Sequence, residues 1–301
     1  MKAAIGFVGI GNMGWPMAAN LVRAGFAVRV YDAAPARAQS FVQQEGGAAA
    51  SGLRDLAERS DAIITMLPNS AVVARVLEEG EDNIFAGLRP RTVVIEMSSG
   101  TPAATQRLAE RVAALGGILV DAPVSGGVPR ARSGELAIMA GGEAAAIDRV
   151  LPVLQAMGSS VLRTGAVGSA HAMKALNNLV SAGGFLIGVE ALIIGQRFGL
   201  DPAVMVDVLN ASTGMNNSTQ KKFKQFVLSR RFDSGFGLDL MVKDLSIALE
   251  VGREGGVATP FAAPCRELWA SAAAVLGPGA DHTAMARFSE MLAGGETQSV
   301  S

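Results

Sequence analysis

A lysine and two asparagines occupy one face of a long helix that the sequence predicts from Ala166 to Arg197. Lys174, Asn177 and Asn178 stand at positions i, i+3 and i+4, which lie on the same side of a helix. The C-terminal half of this helix is apolar almost all round, a pattern typical of a buried helix. An ammonium and two amides on the most buried helix of a domain indicate a functional site.

These residue types favour acid–base chemistry at a carbon–oxygen bond. Lys174 would donate a proton during reduction of a carbonyl and accept one during oxidation of an alcohol. Asn178, one turn further along, would hydrogen-bond the reacting oxygen or hold the lysine head, and we assign Asn177 to substrate binding. The alternative for Lys174 is a lysine at a helix end that extends into solvent. His171, three residues earlier, is expected to be a packing or hydrogen-bonding residue.

The start of the chain carries the full context of a dinucleotide-binding fingerprint. It consists, in order, of a strand-like apolar run at 3–8, the motif Gly9-Ile10-Gly11-Asn12-Met13-Gly14, a helix that ends at Gly25, a second strand at Ala27–Tyr31, and Asp32. Gly9 would permit the tight turn, Gly11 would let a pyrophosphate approach the backbone, and Gly14 would let the helix pack on the strand. Asn12 and Met13 belong to the same loop and are assigned to cofactor binding with the glycines, because the phosphates sit on a helix N-terminus.

Asp32 bears on the choice of cofactor. Its carboxylate would accept hydrogen bonds from the adenosine ribose and would repel a 2′-phosphate, so the sequence favours NAD over NADP. The alternative is that Asp32 only caps the helix that begins near Pro35. The complete fingerprint around Asp32 favours cofactor binding.

Two domains follow from the order of the predicted elements. As far as Gly165, predicted strands alternate with helices; the further strands are at 62–67, 92–97, 117–120, 136–140 and 160–163. After Gly165 only helices are predicted, and those that follow the long helix are at 202–211, 221–230, 240–254, 260–274 and 283–292. This order predicts an α/β Rossmann-type doubly wound sheet at 1–165 and an all-α substrate and oligomerisation domain at 166–293, joined by the long inter-domain helix. The tail, 294–301, is expected to fray.

Composition excludes several classes of protein. Half of the residues are hydrophobic, 18% are charged and the formal net charge is −1, which argues against disorder and against binding of nucleic acid or an anionic membrane surface. One cysteine and two histidines leave no basis for a disulfide framework or a metal site. No secretory signal is apparent, and the longest uncharged apolar stretch, Ala175–Val189, is shorter than the ~18–20 residues of a membrane span. We therefore expect a soluble cytoplasmic protein.

Two further segments could bind a carboxylate. Ser125-Gly126-Gly127 follows a predicted strand, where glycines expose backbone N–H groups and the serine adds a hydroxyl donor; the alternative is an ordinary turn. Lys243 precedes Asp244 on a predicted helix with apolar neighbours. Lys243 would supply a second cation for a carboxylate, and the alternative is a surface ion pair.

The chain resembles the β-hydroxyacid dehydrogenase family, which includes 3-hydroxyisobutyrate dehydrogenase and tartronate semialdehyde reductase. Five motifs in the family's order carry the resemblance, namely Phe7–Gly14 with Met17–Leu21, Met66–Pro68, Asp121–Gly127, Lys174–Asn178 and Lys243–Leu245. The resemblance implies NAD-dependent hydride transfer between the nicotinamide and a small 3-hydroxy acid or its semialdehyde or keto form. It also implies homodimers or homotetramers that bury C-terminal helices.

The resemblance also implies a role for each matching residue. Lys174 would be the catalytic lysine and Asn178 its helper, while Ser125, Gly126 and Gly127 would hold the substrate carboxylate. Lys243 would close the site from the C-terminal domain, in contact with both substrate and cofactor. The remaining residues of the cofactor groove would be Met66, Leu67, Pro68 and Ser99.

The substrate and the reaction leave alternatives open. The segment Asn210–Thr219 lacks the arginine and tryptophan of 3-hydroxyisobutyrate enzymes and looks more like the branch that acts on polyhydroxylated acids such as threonate, where Asn216 and Asn217 would meet extra hydroxyls. Imine reduction uses a similar architecture without the lysine, and 6-phosphogluconate dehydrogenases, which decarboxylate after oxidation, have a much larger helical domain. The non-enzymatic alternative is a nucleotide-sensing protein, in which Lys174→Ala would leave the biological output intact.

Overall fold

The computed structural model describes residues 2–295 and shows two compact units, Met1–Lys174 and Ala175–Ser301. The division between them falls within the long helix, whereas the sequence places the domain boundary just before that helix begins. Of the predicted tail, residues 296–301 lie outside the described residues.

A mixed sheet forms the centre of the first unit. Its strands are β1 Ala4–Val8, β2 Ala27–Tyr31, β3 Ala48–Ala49, β4 Ala62–Thr65, β5 Val93–Glu96, β6 Ile118–Asp121, β7 Val124–Ser125, β8 Ala137–Gly141 and β9 Ser160–Gly165. From β1 to β6 all pairings are parallel, in the order β3-β2-β1-β4-β5-β6. β8 runs antiparallel to β6 and β7 and parallel to β9. The first six strands have the order of a dinucleotide-binding sheet.

Helices cover both faces of this sheet. They are α1 Gly14–Arg23, α2 Pro35–Glu45, α3 Leu53–Glu58, α4 Ser70–Glu78, α5 Ile84–Gly87, α6 Pro102–Ala114, α7 Gly127–Ser133 and α8 Ala144–Gln155. Successive strand residues point to opposite faces, so Phe7 and Ile64 belong to one apolar core whereas Val8 and Ile63 belong to another. Burial on both faces explains the nearly continuous apolar strands. The predicted Rossmann-type fold is confirmed.

The long helix α9 spans Ser169–Phe198 and starts three residues later than predicted. Gly168 has a φ of +91°, outside the helical region, and therefore precedes the first turn. The expectation that α9 is buried on every side is wrong, because Val180, Ile187 and Ile194 are 76%, 65% and 64% exposed. These residues are seven apart and form one apolar stripe, while Phe185 and Val189 fill the core.

The length of α9 also corrects the expectation that no segment is long and apolar enough for a membrane span. Within residues 2–295, α9 is the one helix long and apolar enough to cross a membrane by length and composition. The stretch Ala175–Val189 was therefore too narrow a window for this test. A core helix of a globular domain passes the same test, and one side of α9 packs in the core of the second unit.

The second unit is helical throughout its described part. Its further helices are α10 Pro202–Ala211, α11 Asn217–Lys221, α12 Leu238–Glu254, α13 Ala262–Leu276 and α14 Met285–Ala293, with a π-helix at Phe223–Leu228 and a 3₁₀ helix at His282–Ala284. Phe185, Phe223 and Trp269 are fully buried at its centre. Phe185 contacts the other two rings at centroid distances of 5.5 and 5.8 Å.

Candidate active site

The glycine turn after β1 has the geometry that the fingerprint requires. Gly9 has a φ of +91°, and a Cβ there would lie 2.4 Å from the Met66 carbonyl oxygen. A Cβ on Gly14 would lie 1.9 Å from the Gly9 oxygen, so only glycine permits this approach of α1 to the turn. A Cβ on Gly11, by contrast, would meet no atom of the chain within 4 Å. The open space over Gly11 fits a ligand that approaches the backbone, as the pyrophosphate of NAD would.

Asp32 holds the turn together from the end of β2. Its Oδ2 accepts a hydrogen bond from the Ile10 amide at 3.1 Å, and its Oδ1 accepts one from the Ala34 amide at 2.9 Å. Helix α2 has Ala34 as its N-cap and no side-chain cap, so Asp32 does not cap it. The Arg37 guanidinium lies 3.2 Å from Asp32 Oδ1. Sequence reasoning missed Arg37, whose only signal was its place in the first turn of α2.

The ends of β4 and β5 lie beside this turn. The Met66 amide donates to the Val8 carbonyl at 2.9 Å, and the Leu67 amide donates to Ser98 Oγ at 2.9 Å. Pro68 and Ser99 follow directly in these two loops and retain access to solvent. The strand order reverses between β1 and β4, which is where open α/β sheets bind their ligands. The predicted groove residues Met66, Leu67, Pro68 and Ser99 follow the carboxyl ends of β4 and β5, next to this reversal.

Ser125-Gly126-Gly127 forms a turn from β7 into α7. Ser125 pairs with Ala137 of β8, and the next two residues have φ values of +135° and +66°. A Cβ on Gly126 would lie 2.6 Å from Arg130 Cδ. Neither β7 nor α7 was predicted, because segments of two and seven residues are too short for a periodic pattern. The turn leaves Ser125 and both glycines accessible at the carboxyl end of the sheet.

The candidate catalytic lysine is buried. Lys174 is 8% exposed and Asn178, one turn further along α9, is 7% exposed, so the lysine does not extend into solvent. The first turn of α9 is anchored by Asp121 at the end of β6. Its carboxylate accepts hydrogen bonds from the amides of Gly168, Ala170 and His171 at 2.8, 3.0 and 3.0 Å. Sequence reasoning missed this anchor.

In the second unit a buried carboxylate orients the asparagine pair. Asn178 Nδ2 donates to Asp244 Oδ2 at 2.6 Å, and Asn177 Nδ2 donates to Asn178 Oδ1 at 3.2 Å. Lys243 Nζ lies 3.9 Å from Asp244 Oδ1. Since Asp244 is 2% exposed, this contact is not the surface ion pair of the alternative interpretation. The sequence analysis quoted Asp244 only as part of the Lys243–Leu245 motif and did not predict its contact with Asn178.

Asn216 has a structural task that the sequence analysis did not anticipate. Its Oδ1 accepts hydrogen bonds from the Ser218 and Thr219 amides at 2.8 and 3.2 Å, and Thr219 Oγ1 accepts from the Asn216 amide. This reciprocal pattern is a capping box at the start of α11. The side-chain oxygen of Asn216 is thus committed to the helix, whereas Asn217 is exposed at the first position of α11.

His171 is a hydrogen-bonding residue, as expected, and it belongs to a buried ionic cluster. Its Nε2 lies 2.8 Å from Glu96 Oε2. Burial lowers the pKa of His171, but the charges of Glu96 and Asp121 and the hydrogen bond to Glu96 outweigh it and raise the pKa above its ordinary value. For Glu96, burial alone would raise the pKa. The charge of His171 and its hydrogen bond outweigh this effect of burial, so the pKa of Glu96 is lowered. The two groups therefore form an ion pair.

Comparisons with known proteins place these motifs in one family. Residues 4–166 match the model described as the NAD binding domain of 6-phosphogluconate dehydrogenase, and residues 168–289 match that described as NAD-binding of NADP-dependent 3-hydroxyisobutyrate dehydrogenase. The chain is 37% identical to 2-(hydroxymethyl)glutarate dehydrogenase of Eubacterium barkeri, over 88% of this chain and 87% of that protein. It is 34% identical to 2-hydroxy-3-oxopropionate reductase of Escherichia coli, over 96% and 98%.

The chain belongs to the β-hydroxyacid dehydrogenase family. A solved structure, Mycobacterium tuberculosis 3-hydroxyisobutyrate dehydrogenase with L-serine, matches with a TM-score of 0.87 and 32% identity over 95% of this chain and 99% of that one. This β-hydroxyacid dehydrogenase is an NAD-binding oxidoreductase that acts on the CH–OH group of a small hydroxy acid. The family assignment, the reaction class and the cofactor predicted from the sequence are confirmed.

Proposed function

We propose that this enzyme transfers a hydride between NAD and a 3-hydroxy acid, with Lys174 as the general acid–base group. The observation that carries the proposal is the burial of Lys174 in the first turns of a helix whose N-terminus is anchored to the sheet edge. An ammonium at such a place is shielded from water and exchanges a proton with a reacting oxygen at little cost in reorganisation. When bound, NAD supplies the hydride acceptor or donor.

The names of the relatives define a common substrate unit. 3-Hydroxyisobutyrate, 2-(hydroxymethyl)glutarate and 2-hydroxy-3-oxopropionate each carry a carboxylate, a substituted C2 and, attached to C2, a carbon that can be oxidised or reduced. We propose that the substrate of the present enzyme contains the same unit. The substituent on C2 then distinguishes the substrates, and a hydroxyl on C2 or beyond is the polyhydroxy-acid alternative.

Each part of this unit has a proposed partner. The carboxylate would bind to the amides of Gly126 and Gly127 and to the hydroxyl of Ser125, with Lys243 as a second cation. Asn178, oriented by Asp244, would hydrogen-bond the reacting oxygen or the lysine head. Asn177 would complete the substrate contacts, since its side chain already touches Asn178.

The cofactor contacts follow the fingerprint. Gly9, Gly11 and Gly14, with Asn12 and Met13, would hold the pyrophosphate at the start of α1. The carboxylate of Asp32 would bind the ribose hydroxyls and give NAD preference over NADP. Residues 1–165 would then form the dinucleotide-binding domain and residues 166–293 the substrate and oligomerisation domain.

A substrate panel tests the reaction and the substrate together. We expect reduction of NAD with one or more of 3-hydroxyisobutyrate, glycerate, 2-(hydroxymethyl)glutarate and threonate, and slower reduction of NADP. A preference for threonate would favour the polyhydroxy-acid branch, and a preference for 3-hydroxyisobutyrate would exclude it. Turnover of a cyclic imine with NADPH, without turnover of any acid, would overturn the proposal in favour of imine reduction.

We further propose a homodimer or homotetramer formed through the C-terminal helices. The exposed stripe of Val180, Ile187 and Ile194 supports it, because water-exposed apolar residues at seven-residue spacing suit packing against a second helix. Light scattering should give at least twice the chain mass, and Ile187→Glu should reduce it. A monomer would refute this assembly. We also propose a cytoplasmic location, which fractionation of the source cells would test.

A further inference from the structure

Three ionisable side chains outside the predicted catalytic set are buried together in the first unit. Glu96, Asp121 and His171 are 2%, 0% and 1% exposed. Removing charges from water is costly, and a buried ion pair is often no more stabilising than an apolar replacement. Stability alone therefore gives no reason for this cluster. Its position at the ends of β5 and β6, next to the first turn of α9, suggests a role in placing that turn.

The contacts of His171 define its protonation at Nε2. This atom lies 2.8 Å from Glu96 Oε2 and 2.9 Å from the Ser98 carbonyl oxygen. The Ser98 carbonyl can only accept a hydrogen bond, and so can the Glu96 carboxylate, whose pKa the charge of His171 keeps low despite burial, so the proton is assigned to Nε2. On the other side of the ring, Nδ1 lies 2.9 Å from Thr105 Oγ1. The imidazole is therefore held at both nitrogens and has no freedom to rotate.

Asp121 binds the backbone amides of the first turn of α9, and Glu96 binds the side chain of His171 in the same turn. The three amides bound by Asp121 belong to the positive end of the α9 dipole, which favours a carboxylate. Substituting Gly141 would disturb this arrangement, since a Cβ there would lie 2.5 Å from Asp121 Oδ1. One carboxylate from β6 and one from β5 thus fix the start of the helix.

The cluster also reaches the loops that are proposed to hold the cofactor. Glu96 Oε1 accepts a hydrogen bond from the Ser98 amide at 2.8 Å, and Ser98 Oγ accepts one from the Leu67 amide at 2.9 Å. Lys174 lies three residues after His171, about 4.5 Å further along the helix axis. The loops at Leu67 and Ser98 and the helix turn before Lys174 are therefore joined through one connected set of hydrogen bonds.

We propose that the Glu96–His171 ion pair is a positioning device that fixes the first turn of α9, and with it the Lys174 ammonium, relative to the cofactor-binding edge of the sheet. Glu96 and His171 act through Lys174 and do not touch the reacting atoms. The inference rests on the proposed catalytic role of Lys174.

The test is a double-mutant cycle in the full-length enzyme with the best acid of the panel. His171→Leu removes the donor to Glu96 and should lower kcat by about 10–100-fold, the range for misplacing a catalytic group. The Kd for NAD and the KM for the acid should stay within about threefold of the original. His171→Gln restores an N–H donor and should recover most of the lost kcat, and Glu96→Leu, which removes the acceptor, should resemble His171→Leu.

The background of Lys174→Ala separates positioning from general damage. If His171 acts through Lys174, His171→Leu should cause no further loss of kcat in that background. The same fold loss in both backgrounds, or an unchanged kcat in the original one, would overturn the inference. If Lys174→Ala alone left kcat intact, the proposed function would fail instead. His282→Gln, which alters a buried histidine of the second unit, is the control for lost stability and should not change kcat.

Discussion

Acid should weaken the second unit through one buried histidine. His282 Nδ1 lies 3.0 Å from Ser234 Oγ and 3.2 Å from the Phe236 carbonyl, and its ring stacks on Trp269 at a centroid distance of 6.4 Å. Burial and the charge of Lys222 lower its pKa from 6.5 to about 4, against the opposing effect of Asp281. The folded state therefore keeps His282 neutral at a pH where the unfolded chain is protonated.

The sign and size of the effect follow from linkage. Between pH 6.5 and about 4 the unfolded state binds the extra proton, so the free energy of unfolding falls as the pH falls. The interval between the two pKa values, at about 1.4 kcal/mol per pH unit, amounts to about 3 kcal/mol. Above the ordinary pKa of histidine the contribution is fully present, and below about pH 4 it is lost.

Urea unfolding at a series of pH values measures this contribution. Of the two tryptophans, Trp15 and Trp269, replacing Trp15 by Phe leaves the one beside His282 as a fluorescent reporter. The difference in unfolding free energy between this protein and its His282→Gln variant should shrink by about 3 kcal/mol on acidification. Parallel curves for the two proteins would show that His282 does not cause the loss of stability in acid. His171→Gln is a control of opposite sign, since the raised pKa of His171 gives stability that is lost as the pH rises.

Two further substitutions test the cofactor and substrate contacts. Asp32→Asn keeps an acceptor for the turn but frees the Arg37 guanidinium, which lies 3.2 Å from the carboxylate, for a 2′-phosphate. The ratio of kcat/KM for NAD to that for NADP should therefore fall at least ~10-fold. Arg37→Ala should raise this ratio. Asp244→Ala removes the acceptor of Asn178 at 2.6 Å and should lower kcat/KM for the acid about 10-fold with unchanged NAD affinity, the size of one buried hydrogen bond. The control is Asp239→Ala on the exposed side of the same helix. An unchanged NAD/NADP ratio, or equal effects of the two α12 variants, would contradict these assignments.

The parts of the site that depend on local sequence were predictable. The positive φ of Gly9 and the contact of Gly14 with the Gly9 oxygen are local to one turn, and the sequence pattern assigned these glycines correctly to a tight turn and a close helix contact. The bounds of α10 were predicted from its apolar pattern and the proline at its start. In each case the determining interactions lie within a few residues of each other.

The parts that depend on distant residues were not predictable from spacing. Asp121 meets its amide partners 47 to 50 residues later, and Asp244 meets Asn178 across 66 residues. An acid at a strand end has the same local signature whether it faces water or anchors a helix. The exposed stripe on α9 was missed for a related reason, since an apolar helix is compatible both with a core and with a partner surface.

Removing the Lys174 side chain tests whether this group moves the proton. In Lys174→Ala the Kd for NAD should stay within about threefold, while kcat should fall by about 10²–10⁴-fold, the range for losing one acid–base group. Added small primary amines should restore part of the lost rate, because the substitution leaves space for an ammonium at a buried position. Undiminished turnover with normal NAD binding would show that Lys174 is not the acid–base group.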